Sequence, residues 1–489
     1  MRLKRLCRLG AAGLVLILVA VWSLVLTATE DKDSSLMDQG REPVPLHEKP
    51  KSGKRDLNSN INVNANPQEK NFIFTKAPLK HIPHVNKDVI AKNNINDTIN
   101  IRKPKDSKIH FNLTSNLKGP NVHIRKAILD INHQQNVLNL DRFPRRSTDS
   151  IVILVMVHKR LEYLQYLIQS LSRATDIGDA LLVFSHDYYS EEINDVIRAI
   201  DFCQTLQIFY PYSLQIYENE FPGPEENDCP RDAPKNVARE MKCTNWEHPD
   251  LYGHYREVQF VMTKHHWFWK LQHIFTGVQA TQNHNGLILL LEEDHYVAPD
   301  FYVMLKKMYE EKKTKVTECN ILTLGTYDKN RVYRDRADKA DVTDWHSSKH
   351  NMGMALDKKT WLSLQECKEQ FCSYDDYNWD WTLQHLSKSC LKPPLRALVL
   401  RSPRVFHIGE CGIHHNGKCN ADDLVRKIDE NLKTNQRYLY PSNLVVTPQT
   451  RPLRIKPPKP NGGWGDLRDR TLCATYGRDV SGSPDKEES

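Results

Sequence analysis

Between residues 30 and 148 the sequence contains no cysteine, tryptophan or tyrosine. Apolar residues there are thinly spread among Asn, Lys, Pro and Asp, too few to offset the entropy of ordering the chain. A packed core is therefore excluded from most of this stretch, and a flexible stem is expected over residues 29–119. The motifs G-x-S-x-G, H-E-x-x-H, the Walker A loop and the glycine fingerprint of dinucleotide-binding folds are all missing, as is any internal repeat. No acidic residue precedes Glu30. The formal charge of the whole chain is +7; its basic excess lies in the first 148 residues, and the remainder is slightly acidic. A domain without a basic face is a poor match for phosphate backbones, so nucleic acid is excluded as the main partner.

The chain is nevertheless 39% hydrophobic over 489 residues, enough for a sizeable core. Leu9 to Ala28 is an uncharged apolar run. Twenty helical residues span about 30 Å, the thickness of the hydrocarbon core. Arg2, Lys4, Arg5 and Arg8 precede the run, and Glu30, Asp31 and Asp33 follow it. By the positive-inside rule residues 1–8 form a cytosolic tail, 9–28 an uncleaved signal-anchor, and the rest lies across the membrane. The alternative, a cleaved signal peptide, delivers the bulk of the chain to the same oxidising lumen. Ten of the eleven cysteines lie between Cys203 and Cys473, which reads as disulfides in that compartment. Asn96-Asp-Thr and Asn112-Leu-Thr are glycosylation triplets.

A globular domain is expected over residues 120–489, entered by a helix from Ile124 to Leu140. Ile151 to Val157 is a continuous apolar run rich in β-branched residues, the pattern of a strand buried on both faces. Leu161, Leu164, Leu167, Ile168 and Leu171 recur at helical spacing, and Leu181 to Phe184 is a second buried strand. Further strands are expected at 286–291 and 321–324. Alternating strands and helices predict an α/β, Rossmann-like and mainly parallel sheet, with ligands beyond the carboxyl ends of its strands.

Leu291-Glu292-Glu293-Asp294-His295 follows such a strand directly. Three acids at the mouth of a buried strand cost desolvation energy unless a cation sits there, and Mn²⁺ or Mg²⁺ suits carboxylates. A charged loop in which Asp294 or Asp300 caps the next helix is the alternative. In Tyr374-Asp-Asp-Tyr-Asn-Trp-Asp-Trp381, Asp380 stands between two tryptophans whose bulk would raise its pKa towards that of a general base. A packed aromatic cluster with solvated acids is the plainer reading of that motif alone. The adjacent His265 and His266, and His407 at the end of a short strand, taken singly read as surface or core histidines.

Together these motifs resemble one family. Val157-His-Lys-Arg160, Phe184-Ser-His-Asp187, Asp228-Cys-Pro-Arg-Asp232, Gly253-His-Tyr-Arg-Glu257 and Thr263-Lys-His-His266 come in its order. Leu291 to His295, His350-Asn-Met-Gly353, Tyr374 to Trp381 and Asn461-Gly-Gly-Trp-Gly-Asp466 continue it. From about residue 120 to about residue 475 the chain resembles the N-acetylglucosaminyltransferase II family, which acts on the α1,6-linked mannose of glycoproteins. The resemblance implies a GT-A-type nucleotide-sugar transferase fold on a single-pass type II protein of the Golgi membrane. It implies inverting transfer of N-acetylglucosamine from UDP-N-acetylglucosamine to O2 of the α1,6-arm mannose of an N-glycan, in a β1,2 linkage. Mn²⁺ would be held by Asp294 and His407, with Asp380 as catalytic base. Met156, Val157, His158, Lys159, Arg160 and Asp187 would bind the uridine side of the donor. Met262, Thr263, Lys264, His265, His266 and Arg331 would line the donor and acceptor pocket, with Arg231 a further candidate. Implied disulfides are Cys229–Cys243, Cys367–Cys390, Cys372–Cys473 and Cys411–Cys419. Val316 stands where the family has a partner for Cys319, so Cys319 and Cys203 are expected to be free. Partners would be UDP-N-acetylglucosamine, the N-glycan acceptor, the Golgi membrane and a second copy of the chain. Two rivals stand beside this reading: an inverting glycosidase, and a catalytically inactive membrane-tethered glycan-binding protein of the same fold.

Overall fold

The computed structural model describes residues 121–144, 146–327, 331–409, 420–449 and 459–477. All belong to the unit Lys105–Ser489. The expected tail, anchor, stem and both glycosylation triplets lie outside the described residues, as does the Cys411–Cys419 pair. Among the described residues no helix is long and apolar enough to cross a membrane.

Four of the predicted strands form: β1 (Val152–Val157), β2 (Leu181–His186), β4 (Leu287–Glu292) and β6 (Ile321–Thr323). With β3 (Gln204–Phe209), β7 (Lys339–Asp344), β8 (Met354–Asp357), β9 (Arg396–Leu400) and β11 (Val445–Thr447) they make one sheet in the order β11-β7-β9-β6-β8-β4-β1-β2-β3. The half β4-β1-β2-β3 is parallel, as expected. Beyond it β8 runs antiparallel to both β4 and β6, and β7 antiparallel to β9, while β6 pairs parallel with β9 and β7 with β11, so the sheet is parallel in five of its eight pairings. The sheet is mixed. β8 reaches it through a loop and short helix rather than a helical crossover, so nothing forces a parallel entry.

Both faces of the sheet are covered, so β1 is apolar throughout. Ile153, Val155 and Val157 face the helices Leu161–Ser172 and Phe301–Thr314. Val152 and Leu154 face the helix Val258–Thr276, with Trp267, Phe268 and Leu271. The period of two along the strand thus assigns each side chain to a face. The entry helix is Val122–Gln134, shorter than expected. It ends because Gln135 turns left-handed, after which Leu138 bridges to Thr205. A two-stranded antiparallel ribbon, β5 (His295–Val297) with β10 (Val405–His407), stands apart from the sheet.

Candidate active site

The parallel register places Met156 beside Glu292, so β1 and β4 end together and the acids emerge at the carboxyl edge. Glu293 turns back. Its carboxylate accepts the backbone N–H of His158 at 2.6 Å and Nε of Arg160 at 2.7 Å, which ties the loop after β1 to the end of β4. Asp294 faces the other way and is buried. Its Oδ2 accepts Arg160 Nη1 at 2.9 Å and lies 3.1 Å from His407 Nε2. These contacts overcome the effect of burial and hold its pKa well below the usual carboxylate range. Neither acid-loop residue caps a helix. Asp300, at the start of the next helix, gives its carboxylate to Arg404 at 2.8 Å.

The ribbon brings in His407, 113 positions away in sequence, because β10 pairs antiparallel with β5 and sets His407 opposite His295. A buried carboxylate oxygen is ordinarily hydrogen-bonded, yet Asp294 Oδ1 has no partner. An oxygen with free lone pairs, next to an imidazole and with Glu292 nearby, fits a divalent cation. Glu292, Asp294 and His295 present potential ligand atoms within 4.8 Å of one another. His295 is already engaged, since its Nδ1 accepts the Glu292 N–H at 3.1 Å. A neutral imidazole that accepts at one nitrogen carries its proton on the other, which leaves His407 as the available nitrogen ligand.

A cleft of about 920 Å³ opens beside these acids. Met156, His158, Lys159, Arg160 and Asp187 line it, as expected. Val157 does not. The alternation of β1 sends its side chain into the core, and only its carbonyl takes part, accepting the N–H of Asp187 at 3.2 Å. His158 Nδ1 donates to Asp187 Oδ1 at 2.6 Å, which leaves the other ring nitrogen for a ligand.

On the helix Val258–Thr276, Met262 and Thr263 reach the cleft and Lys264, His265 and His266 do not line it. This corrects the expectation of a five-residue pocket wall, since consecutive helical residues point about 100° apart. His265 is fixed between Asp469 and the Tyr476 hydroxyl, each at 3.0 Å. Lys264 donates to the carbonyls of Tyr374 and Asp376 at 3.1 and 2.8 Å. His266 sits behind the wall, bonded to Ser185 at 2.8 Å with its second nitrogen 3.7 Å from Asp187. Arg331 lies over the Phe406 ring in a separate cluster, and Arg231 pairs with Asp232 and Glu257. Neither lines the cleft.

Asp380 sits in the first turn of the helix Trp379–Ser389, close behind Tyr377 and Asn378, which line the cleft. Its carboxylate accepts the Trp381 N–H and Asn351 Nδ2, both at 2.9 Å. Burial pushes its pKa up to about 6, opposed by the Trp381 N–H and aided by the negative charges of Asp376 and Glu292. Trp379 faces away from the cleft. It stacks on Trp267 inside the core, with ring centres 4.6 Å apart. Asn351 is a site residue that chemical reasoning on the sequence missed. It lay within a matched motif, but an amide carries no signal of its own.

Three disulfides form as the resemblance implied: Cys229–Cys243, Cys367–Cys390 and Cys372–Cys473. Cys203 and Cys319 are free and buried.

The profile of the N-acetylglucosaminyltransferase II family matches residues 125–473. The α-1,6-mannosyl-glycoprotein 2-β-N-acetylglucosaminyltransferase of Sus scrofa is 47% identical over 72% of this chain and 79% of its own length. The enzyme of the same name from Arabidopsis thaliana is 30% identical over 83% of this chain and 92% of its own. Among solved structures, S. aureus TarS 1-349 in complex with UDP-GlcNAc aligns over 55% of this chain and 60% of that chain. The identity is 10% and the TM-score 0.27, too slight a likeness to carry an argument.

Proposed function

The chain belongs to the N-acetylglucosaminyltransferase II family, and we infer that the cleft at the end of β4 performs the family's reaction. N-Acetylglucosamine passes from UDP-N-acetylglucosamine to O2 of the α1,6-arm mannose of an N-glycan, in a β linkage. The observation that carries the site assignment is the buried, unpartnered Oδ1 of Asp294, at 3.1 Å from His407 through its other oxygen.

Asp380 accepts the proton of the mannose 2-hydroxyl. The oxygen attacks C1 of the donor sugar as the bond from C1 to the diphosphate breaks and its electron pair leaves with UDP. One in-line attack inverts the α-linked donor, so a single base suffices and no covalent intermediate forms. Asp294 and His407, with Glu292 as a third candidate, would hold Mn²⁺, which when bound neutralises charge on the departing diphosphate. Arg160 holds Glu293 and Asp294 in place beside that charge, and the preset arrangement spares reorganisation during transfer. Met156, His158, Lys159 and Asp187 form the uridine side.

A single-pass type II protein of the Golgi membrane is the location we propose. The flanked apolar run 9–28 and three disulfides support it.

The test is UDP release by the purified chain, with UDP-N-acetylglucosamine and a core N-glycan already carrying N-acetylglucosamine on its α1,3 arm. Metal-dependent release with a new β1,2 bond on the α1,6 arm is expected. Glycan binding without release would favour the inactive glycan-binding protein instead.

A further inference from the structure

Asp376 is fully buried in the loop before the Asp380 helix, and the mechanism above gives it no role. Its carboxylate accepts four N–H bonds, two on each oxygen. Oδ2 takes the backbone N–H and Nδ2 of Asn461 at 2.9 and 3.0 Å. Oδ1 takes the backbone N–H and Nδ2 of Asn378 at 2.9 and 3.2 Å. Its carbonyl accepts Lys264 Nζ at 2.8 Å.

Asn461 opens Asn461-Gly-Gly-Trp-Gly-Asp466, a motif the catalytic reading leaves unused. Gly462 pairs with the same loop through Tyr377 N–H to its carbonyl and its own N–H to Asp375, both 3.1 Å. Gly462 and Gly463 have φ of +77° and +75°, and a Cβ on Gly462 would meet Asp250 Oδ2 at 2.4 Å. Only glycine lets the segment pass this close. Asn378, held on the far side of Asp376, lines the cleft, and Asp380 is two residues further on.

We propose that Asp376, gripped by Asn461 of the C-terminal segment, is the positioning residue that sets the base Asp380 and the cleft residue Asn378 for transfer. The inference rests on the reading of Asp380 as base. Lys264 and the backbone bonds at Asp375 and Tyr377 hold the start of the loop, whereas the Asp376 carboxylate reaches Asn378 on the side of the base, and a displacement of the base by about 1 Å can cost ~10²-fold in rate.

The experiment compares the full chain with Asn461→Ala, Asp376→Asn, the double variant and Asp380→Asn. It measures kcat, donor KM, the pH profile of kcat, UDP binding and thermal unfolding. Both single variants should lose kcat by roughly 10- to 100-fold, with donor KM and UDP binding within about twofold. The acidic limb of kcat should move below pH 6 as Asp380 gains solvent. The double variant should be no worse than the poorer single, because both break one contact. If Asp376→Asn does not fold, Asn461→Ala decides alone. Wild-type kcat in Asn461→Ala overturns the proposal. So does a loss of kcat matched by lost UDP binding and an unmoved pH profile, since that is unfolding. Turnover by Asp380→Asn would remove the base reading beneath it, whereas a silent Asp380→Asn beside a normal Asn461→Ala removes the latch alone.

Discussion

Asp380 carries two opposing influences, since a helix N-terminus favours a carboxylate and burial disfavours it. Burial wins, with the pKa pushed to about 6. In the proposed mechanism the ionised form is the base, so kcat should fall as pH drops through about 6 and level off above it. A pH profile of kcat at saturating substrates checks this. The sign for stability is the reverse. A carboxyl whose folded pKa lies above its unfolded value contributes stability that is present below about pH 4 and lost as pH rises through about 6. Asp380→Asn should keep UDP binding and lose turnover, and retained turnover would remove it as base. At the proposed metal site, a Cβ on Gly409 would lie 2.1 Å from Asp294 Oδ2. Gly409→Ala should therefore raise the Mn²⁺ needed for half-maximal activity, as should His407→Ala. An unchanged metal titration for either would sink the assignment of that side of the site.

At the scale of elements, side-chain alternation and helical rotation explain which neighbours share work. β1 was legible from its unbroken apolar run, and its period separates Met156 and His158 from Val157. The helix Val258–Thr276 is buried nearly all round, so its pattern could not tell which residues meet the cleft. Lys264, His265 and His266 look like chemistry in one dimension. In the fold Lys264 and His265 brace the base loop and the C-terminal helix, while His266 backs the cleft wall. The stack of Trp267 on Trp379 couples this helix to the one bearing Asp380. Trp267→Ala should cost about 3–5 kcal/mol of folding stability through the cavity it leaves. Denaturant unfolding measures that, and a loss near zero would mean that the stack does not hold the base helix.

For the whole molecule, the C-terminal segment braces the loop before the Asp380 helix. Cys372–Cys473 spans 101 positions and ties the helix Lys368–Ser373 to the helix Leu467–Thr475. Chain-entropy arguments give a loop of this length about 4–5 kcal/mol. Serine replacing both cysteines should lower the unfolding temperature by several degrees in calorimetry, and an unchanged value would mean the packing of Trp464 and Leu472 suffices. Removing residues 1–119 should release an active enzyme from membranes, which fractionation and the UDP assay together would show.

Local pattern alone determined that buried strands follow the entry helix, that acids stand where one of them ends, and that an aspartate lies between tryptophans. Those are properties of neighbours along the chain, written in side-chain type and period. The motifs in order also carried the family. Tertiary structure decided which residues meet. His407 reaches Asp294 only because β5 and β10 pair in one register. Beyond β4 the sheet turns mixed, since β8 enters antiparallel between β4 and β6 and β7 antiparallel beside β9, while β6 stays parallel to β9 and β7 to β11. Asn461 grips Asp376 from 85 positions away through backbone conformations that glycine permits. Contacts of this kind depend on chain reversal and packing, which no local periodicity encodes.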